Sequence, residues 1–336
     1  MRTLYGIQYL RAVAAIAVVL FHAAEKTGGT FAIGAAGVDV FFVISGFIMW
    51  VISEGKNVSP GRFLADRVAR IVPVYWIATA VMIFGALAGL FPNLTLSAAH
   101  VLASLFFIPA PSPSSGEIWP VLVQGWTLNF EMFFYVAFAL ALFLPRSRQL
   151  PVLGGVFAIL AVAGTWLETD DPLLSFYTQP IILEFVAGML LGQMWLKGRM
   201  PRPGTGIALV VLAVVGFAAI ELFRLPFDER SCGPLAVALV LGVLALEAHG
   251  FFRQLAVPAF LGDASYSIYL WHTFAISVVA KVALRLALDP LIATLLACFA
   301  GVAVGLAAYL MIERPVLAAR RSVVANRRLA SNGQTG

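Results

Sequence analysis

Charge is what this sequence has least of. Asp, Glu, Lys and Arg make up 12% of its 336 residues, whereas 61% are hydrophobic and mean hydropathy reaches +0.94. A soluble domain carries about 25% charged residues, so a water-facing surface of ordinary polarity is excluded. Cysteine is nearly absent as well. Cys232 lies near an expected loop and Cys298 inside an apolar run, which leaves neither a disulfide framework nor a thiolate metal site. No soluble domain and no internal repeat is visible, and no nucleic-acid partner is expected.

What fills the chain instead is a succession of long apolar stretches, the pattern of an all-α polytopic membrane protein. Ten spans are predicted, at Ile7 to Ala24, Gly34 to Ser53, Val72 to Phe91, Trp126 to Leu144, Val152 to Leu167, Thr178 to Leu196, Gly206 to Phe223, Gly233 to Ala248, Ala264 to Leu286 and Pro290 to Ile312. The first carries an internal Arg and precedes many further spans, so it reads as a retained helix rather than a signal peptide. The connections alternate in charge. Arg2, then Lys56, Arg62, Arg67 and Arg70, then Arg146 and Arg148, then Lys197, Arg199 and Arg202, then Arg253, then Arg320, Arg321, Arg327 and Arg328 lie on one side. Glu25 and Lys26, Glu117, Glu168 with Asp170 and Asp171, a mixed set from Arg224 to Arg230, and Asp289 lie on the other. The positive-inside rule makes both termini cytoplasmic and requires an even number of spans. The expected location is the bacterial cytoplasmic (inner) membrane.

The transmembrane domain is expected over 1–318, followed by a short basic cytoplasmic tail over 319–336 suited to anionic lipid. The longest outer connection, Pro92 to Gly125, holds a short apolar stretch, Leu96 to Ile108, read as a re-entrant or interfacial helix, and then the turn PAPSPSSG. A connection of this length suits covering a site.

Ionisable residues inside the spans carry the functional information. Arg11 and His22 share the first span. Eleven residues at about 100° each return to within about 20° of the start, so on a helix both project from one face, about 16 Å apart. A guanidinium at a helix centre costs about 3 kcal/mol on insertion scales and belongs in a wet or protein-lined interior. Asp39, Glu131, Glu184 and His272 lie in the second, fourth, sixth and ninth spans and need the same shelter. Glu184 and His272 taken singly also fit helix-packing hydrogen bonders. The predicted orientation puts Arg11 in a cationic inner part of the cavity, and His22 with the carboxylates in an outer part.

The first cytoplasmic connection, GRFLADRVARIVPVYW, places Arg67 and Arg70 three apart and so on one helical face. Guanidiniums at a membrane mouth can grip phosphates in bidentate fashion. Topology and interfacial anchoring also call for arginines before Pro73, Tyr75 and Trp76.

These residues fall into motifs that closely resemble the membrane-bound acyltransferase family 3, and its exopolysaccharide O-acetyltransferase branch in particular. The motifs are Arg-x10-His at Arg11 and His22, GVDVFFVISGF from Gly37 to Phe47, Arg-x-x-Arg at Arg67 and Arg70, WTLNFEMFFY from Trp126 to Tyr135, SYSIYLWH from Ser265 to His272, and ERP from Glu313 to Pro315. Asn129 stands where many members of the family carry Ser. The resemblance implies a multi-pass transferase that moves an acyl group, commonly acetyl from acetyl-CoA, onto a sugar hydroxyl of a polysaccharide or lipid-linked sugar. Acyl-CoA would be a donor substrate, with no permanently bound cofactor and no metal.

The residues suit that chemistry. Acyl transfer from a thioester to an alcohol needs a base for the hydroxyl proton, and a neutral imidazole serves. His22 is the candidate general base, with Asp39 or Glu131 to orient it or bind the sugar. Arg67 and Arg70, with Arg11, are the candidate donor-binding residues. A transporter or flippase for a lipid-linked sugar, using His22, Glu131 and Glu184 as a proton relay, is the competing class. Secondary transporters are often built from paired repeats with interrupted helices, and neither is visible here.

The charge alternation makes a direct prediction about topology. With Cys232 and Cys298 replaced, single cysteines at positions 62, 146 and 199 should be labelled only from the cytoplasmic side, and those at 117 and 170 only from outside. Labelling of position 146 from outside the cell would overturn the ten-span arrangement.

Overall fold

A computed structural model of the protein describes residues 3–55 and 58–320. Among these residues all regular structure is helical. Twelve α-helices follow one another: α1 (Tyr5–Thr27), α2 (Gly37–Ile52), α3 (Pro60–Leu87), α4 (Ala98–Leu105), α5 (Trp126–Ala141), α6 (Arg146–Gly164), α7 (Pro172–Tyr177), α8 (Leu183–Leu196), α9 (Pro203–Phe223), α10 (Glu229–Ala248), α11 (Ala256–Arg285) and α12 (Pro290–Ala308). A π-helical turn, Tyr309–Glu313, extends α12. Arg2, Lys56, Arg321, Arg327, Arg328 and the rest of the expected basic tail from 321 on lie outside the described residues.

Local chemistry starts the helices where it should. Ser59 caps α3 by accepting from the Arg62 amide at 3.4 Å, with Pro60 in the first turn, and Asp289 and Pro290 open α12 in the same way. Asp228 and Ser231 form a reciprocal capping box at the start of α10. At the end of α1, Gly28 takes φ +81°, the left-handed conformation that closes a helix at least cost.

In lipid there is little hydrophobic drive for one helix to leave its neighbour's tails, so close approach depends on small residues. A Cβ added at Gly46 would lie 2.0 Å from the Phe185 carbonyl oxygen, and one at Gly188 would lie 2.0 Å from that of Val43, so α2 and α8 cross in backbone contact. Gly262 makes the same approach to the Gln8 carbonyl between α11 and α1, and Gly305 to Ile268 between α12 and α11. An aromatic core fills the other side. Phe130 stacks on Phe176 with centroids 4.0 Å apart, Phe134 on Phe185 at 4.5 Å, and Phe185 on Phe42 at 4.6 Å.

The structure departs from the expected spans in three places. Among the described residues eight helices are long and apolar enough to cross a membrane, whereas the fourth and sixth expected spans are shorter: α5 has 16 residues, and α8 with its preceding 3-10 turn runs over Pro180–Leu196. At 1.5 Å per residue, 16 residues reach about 24 Å against a hydrocarbon core of about 30 Å. These are the helices that hold Glu131 and Glu184; each buries one side in the bundle, with Phe130 and Phe134 of α5 and Phe185 and Met189 of α8 fully covered. The third helix also begins at Pro60 rather than Val72, so Arg62, Arg67 and Arg70 sit on a helix and not in a connection. Finally, Glu25 and Lys26 belong to the last turn of α1, not to a loop.

Two connections are tied down. In the long outer one, the Tyr75 hydroxyl and the Trp76 indole of α3 donate to the Ser104 and Leu105 carbonyls of α4 at 3.1 and 2.9 Å, which lays α4 along α3. At the opposite end, Arg146 stacks over Trp50 at 3.4 Å, donates to Ser53 and the Trp50 carbonyl, and pairs with Glu54 at 3.1 Å. The exposed Arg148 is therefore a gentler labelling position than 146.

The α2–α8 crossing can be tested directly. Gly188→Val should sharply lower the yield and thermal stability of the detergent-solubilised protein, because overpacking costs about 1–3 kcal/mol even where side chains can yield, and here the obstacle is backbone. Gly155→Val, where an added Cβ meets nothing within 4 Å, should leave the melting curve in place.

Candidate active site

Three guanidiniums meet in one cavity. Arg11 of α1 and Arg67 and Arg70 of α3 line a space of about 180 Å³, with Ser45 of α2, Glu131 and Tyr135 of α5, and Tyr266 and Tyr269 of α11. The helix register explains the convergence. Arg67 and Arg70 share one face of α3, and Glu131 and Tyr135 are four apart on α5. Tyr135 donates a short hydrogen bond to Glu131, which also accepts from Ser45 at 3.2 Å. Arg67 keeps its buried Nε without a partner, and Ser265 on the cavity wall likewise has a buried, unpaired hydroxyl. Buried donors of this kind call for a ligand or water to satisfy them.

A carboxylate from the last motif joins this site. Glu313, 1% exposed, accepts from Ser267 at 2.6 Å and interacts electrostatically with both Arg70 and Arg11. The cavity wall thus carries three cations and Glu131, with Glu313 and Asp263 acting on Arg11 from outside the lining. Arg67 and Arg70, expected on one helical face, lie on α3, and both line this cavity.

His22 lies elsewhere. It is absent from the lining of the Arg cavity and stands about 16 Å further along α1. Its Nδ1 faces the Glu25 carboxylate at 3.3 Å, and its ring lies 5.2 Å from that of His272. Neither Asp39 nor Glu131 orients it, contrary to expectation. Glu131 belongs to the Arg cavity, and Asp39 in the first turn of α2 faces Glu184 in the first turn of α8. The α2–α8 contact through Gly46 and Gly188 holds those two carboxyls together, away from the cavity wall. Glu25 was overlooked because hydropathy ends the first span at Ala24, one residue before it.

His272 links the two regions. It is fully buried, Nδ1 meets the Ile268 carbonyl at 3.0 Å, and Nε2 has no partner. Since a carbonyl accepts, Nδ1 carries the proton and Nε2 offers a lone pair. One turn back on α11, Tyr269 reaches the Arg cavity, its ring 6.2 Å from His272 and its hydroxyl 3.0 Å from Thr127. The order along the bundle is three arginines, Tyr269, His272, then His22 with Glu25.

Comparison with known proteins agrees with this layout. A family model described as an acyltransferase domain matches residues 4–310. The chain is 63% identical over 299 residues to the exopolysaccharide production protein ExoZ of Rhizobium meliloti (strain 1021), covering 89% of this chain and 94% of that protein. It is 29% identical to the putative membrane-bound transacylase BcsY of Komagataeibacter xylinus, covering 78% of this chain and 70% of BcsY. It is also 26% identical to the O-acetyltransferase OatA of Staphylococcus aureus, covering 81% of this chain and 50% of OatA. No solved structure matches. A family match over nearly the whole chain decides between the two classes left open by the ionisable residues: the chain belongs to the acyltransferase 3 family and is a multi-pass membrane acyltransferase.

Proposed function

We propose that this protein transfers an acyl group, in the simplest case acetyl from cytoplasmic acetyl-CoA, to a hydroxyl of an exopolysaccharide or its lipid-linked precursor, with His22 as general base. The observation that carries the reading is the separation of a three-arginine cavity from a histidine pair along one bundle axis. The name of ExoZ supports the glycan acceptor, and that of OatA supports transfer of acetyl to oxygen.

The chemistry divides between the two regions. Coenzyme A carries several phosphates on a large nucleotide and a long, slender arm. A cavity of about 180 Å³ falls below the size of drug-like ligand pockets, about 300–1,000 Å³, so it suits the arm rather than the nucleotide. Arg67 and Arg70 then grip phosphate at the cytoplasmic mouth, and Arg11 lines the way inward. At the other end Nδ1–H of His22 donates to Glu25, which leaves Nε2 as the basic atom. Nε2 takes the proton of the acceptor hydroxyl as its oxygen attacks the thioester carbonyl. The carbon–sulfur bond breaks, the ester forms, and the same proton goes to the departing thiolate.

Three substitutions test these roles. His22→Gln keeps size and hydrogen bonding without useful basicity, and its turnover should fall by about two to four orders of magnitude with normal insertion. Wild-type turnover in that variant removes the histidine from the mechanism. Arg70→Ala should raise the KM for acetyl-CoA with a smaller effect on kcat, as expected for a phosphate contact. Arg11→Lys should also fail to support normal rates, since lysine keeps the charge but loses the planar fork, one arm of which donates to Gln8 at 3.3 Å. Mass spectrometry of surface polysaccharide from cells with and without the protein should show loss of an acetyl increment, whereas a flippase would remove the polysaccharide itself.

A further inference from the structure

A second cavity lies beyond the histidines. It measures about 900 Å³, is open on one side, and is bounded by the end of α1, the end of α3 with the start of the long connection, α11 and the start of α12. Lys26 on its wall stands one turn past His22 on α1, and Lys281 stands about 13 Å past His272 along α11. The cavity is therefore on the opposite side of the histidine pair from the arginines. Its volume is five times that of the arginine cavity and lies at the upper end of the range for sites that enclose a bound molecule.

The lining has a definite chemical bias. Lys26 and Lys281 are both cationic, and no Asp or Glu contributes to the wall. The two nearest carboxylates are engaged elsewhere: Glu25 faces His22, and Asp289 accepts from the Leu291 and Ile292 amides at the start of α12. Neither lysine has an ion-pair partner among the described residues. Asn93 and Ser277 add hydrogen-bonding groups, and the rest of the wall is mostly apolar, with Phe91, Leu90, Leu94, Leu284 and Leu288. Two unpaired cations beside a few neutral polar groups on a largely apolar wall describe a site for an amphiphilic molecule with negative charge.

We propose that this outer cavity is the acceptor site and that it takes a glycan bearing an anionic group, which Lys26 and Lys281 neutralise while a hydroxyl of the same molecule reaches His22. The assignment rests on the acyl-transfer reading above. The negative group is a carboxylate on the sugar chain or the diphosphate of a lipid-linked sugar; both meet the lysines with the same chemistry.

The test uses the full chain reconstituted in neutral lipid nanodiscs, with three probes of matched length: a uronate-containing oligosaccharide, a polyprenyl diphosphate-linked sugar and a neutral oligosaccharide. Wild-type protein should bind one or both anionic probes about tenfold or more tighter than the neutral one, the scale of one charge-assisted hydrogen bond. The double variant Lys26→Gln/Lys281→Gln should lose that margin, and Lys26→Arg/Lys281→Arg should restore it, with acetyl-CoA affinity reporting that each variant is folded. Lysine dependence with the uronate probe assigns the charge to the sugar, and dependence with the diphosphate probe assigns it to the lipid carrier. Unchanged binding in the Gln variant, equal binding of the neutral probe, or lysine-dependent binding of phosphatidylglycerol alone would overturn the proposal. Lysine-dependent glycan binding without acyl transfer in the wild type would sink the acyl-transfer reading and leave the site standing.

Discussion

The constraint that the central site answers is a guanidinium carried on a membrane helix. Arg11 sits in the N-terminal half of α1, a mostly apolar helix, and lipid cannot solvate it. The bundle answers with Glu313, Asp263 and Glu131, brought from the turn after α12, from α11 and from α5, and with tyrosine hydroxyls from α5 and α11. The cavity wall itself carries three arginines and one carboxylate, Glu131, and an anionic ligand is its natural complement.

Close helix packing makes the arrangement rigid enough to be used. Gly46 and Gly188 let α2 and α8 touch backbone to backbone, and Gly262 and Gly305 do the same where α11 meets α1 and α12. The second pair of crossings matters most for chemistry, since α1 carries His22 and α11 carries His272. A wider separation of α1 and α11 would part the two imidazoles, whose rings lie 5.2 Å apart.

The Asp39–Glu184 pair illustrates a different use of buried carboxyls. Both lie in the first turns of α2 and α8 and face each other between these helices. Together they sit at the crossing through Gly46 and Gly188 and not at the cavity, so the motif GVDVFFVISGF serves the fold through Asp39 and Gly46 while Phe41, Phe42 and Ser45 face the cavity. One short motif thus has separate faces for separate tasks, as a helix period of 3.6 residues allows.

Composition and period alone determined that this is an all-α membrane protein, roughly where its helices run, and which ionisable residues needed shelter. Those properties are local: a run of apolar residues excludes water whatever surrounds it, and Arg11 and His22 share a face by counting. What only the tertiary structure decided is partnership. Glu25 rather than Asp39 or Glu131 stands beside His22, His272 joins it, and Glu313 reaches back to Arg11 and Arg70 from the far end of the chain. Helices adjacent in space are distant in sequence, and the close approaches that choose neighbours depend on a missing Cβ at a few glycines. Periodicity reports which face a residue occupies and carries no information about which helix that face will meet.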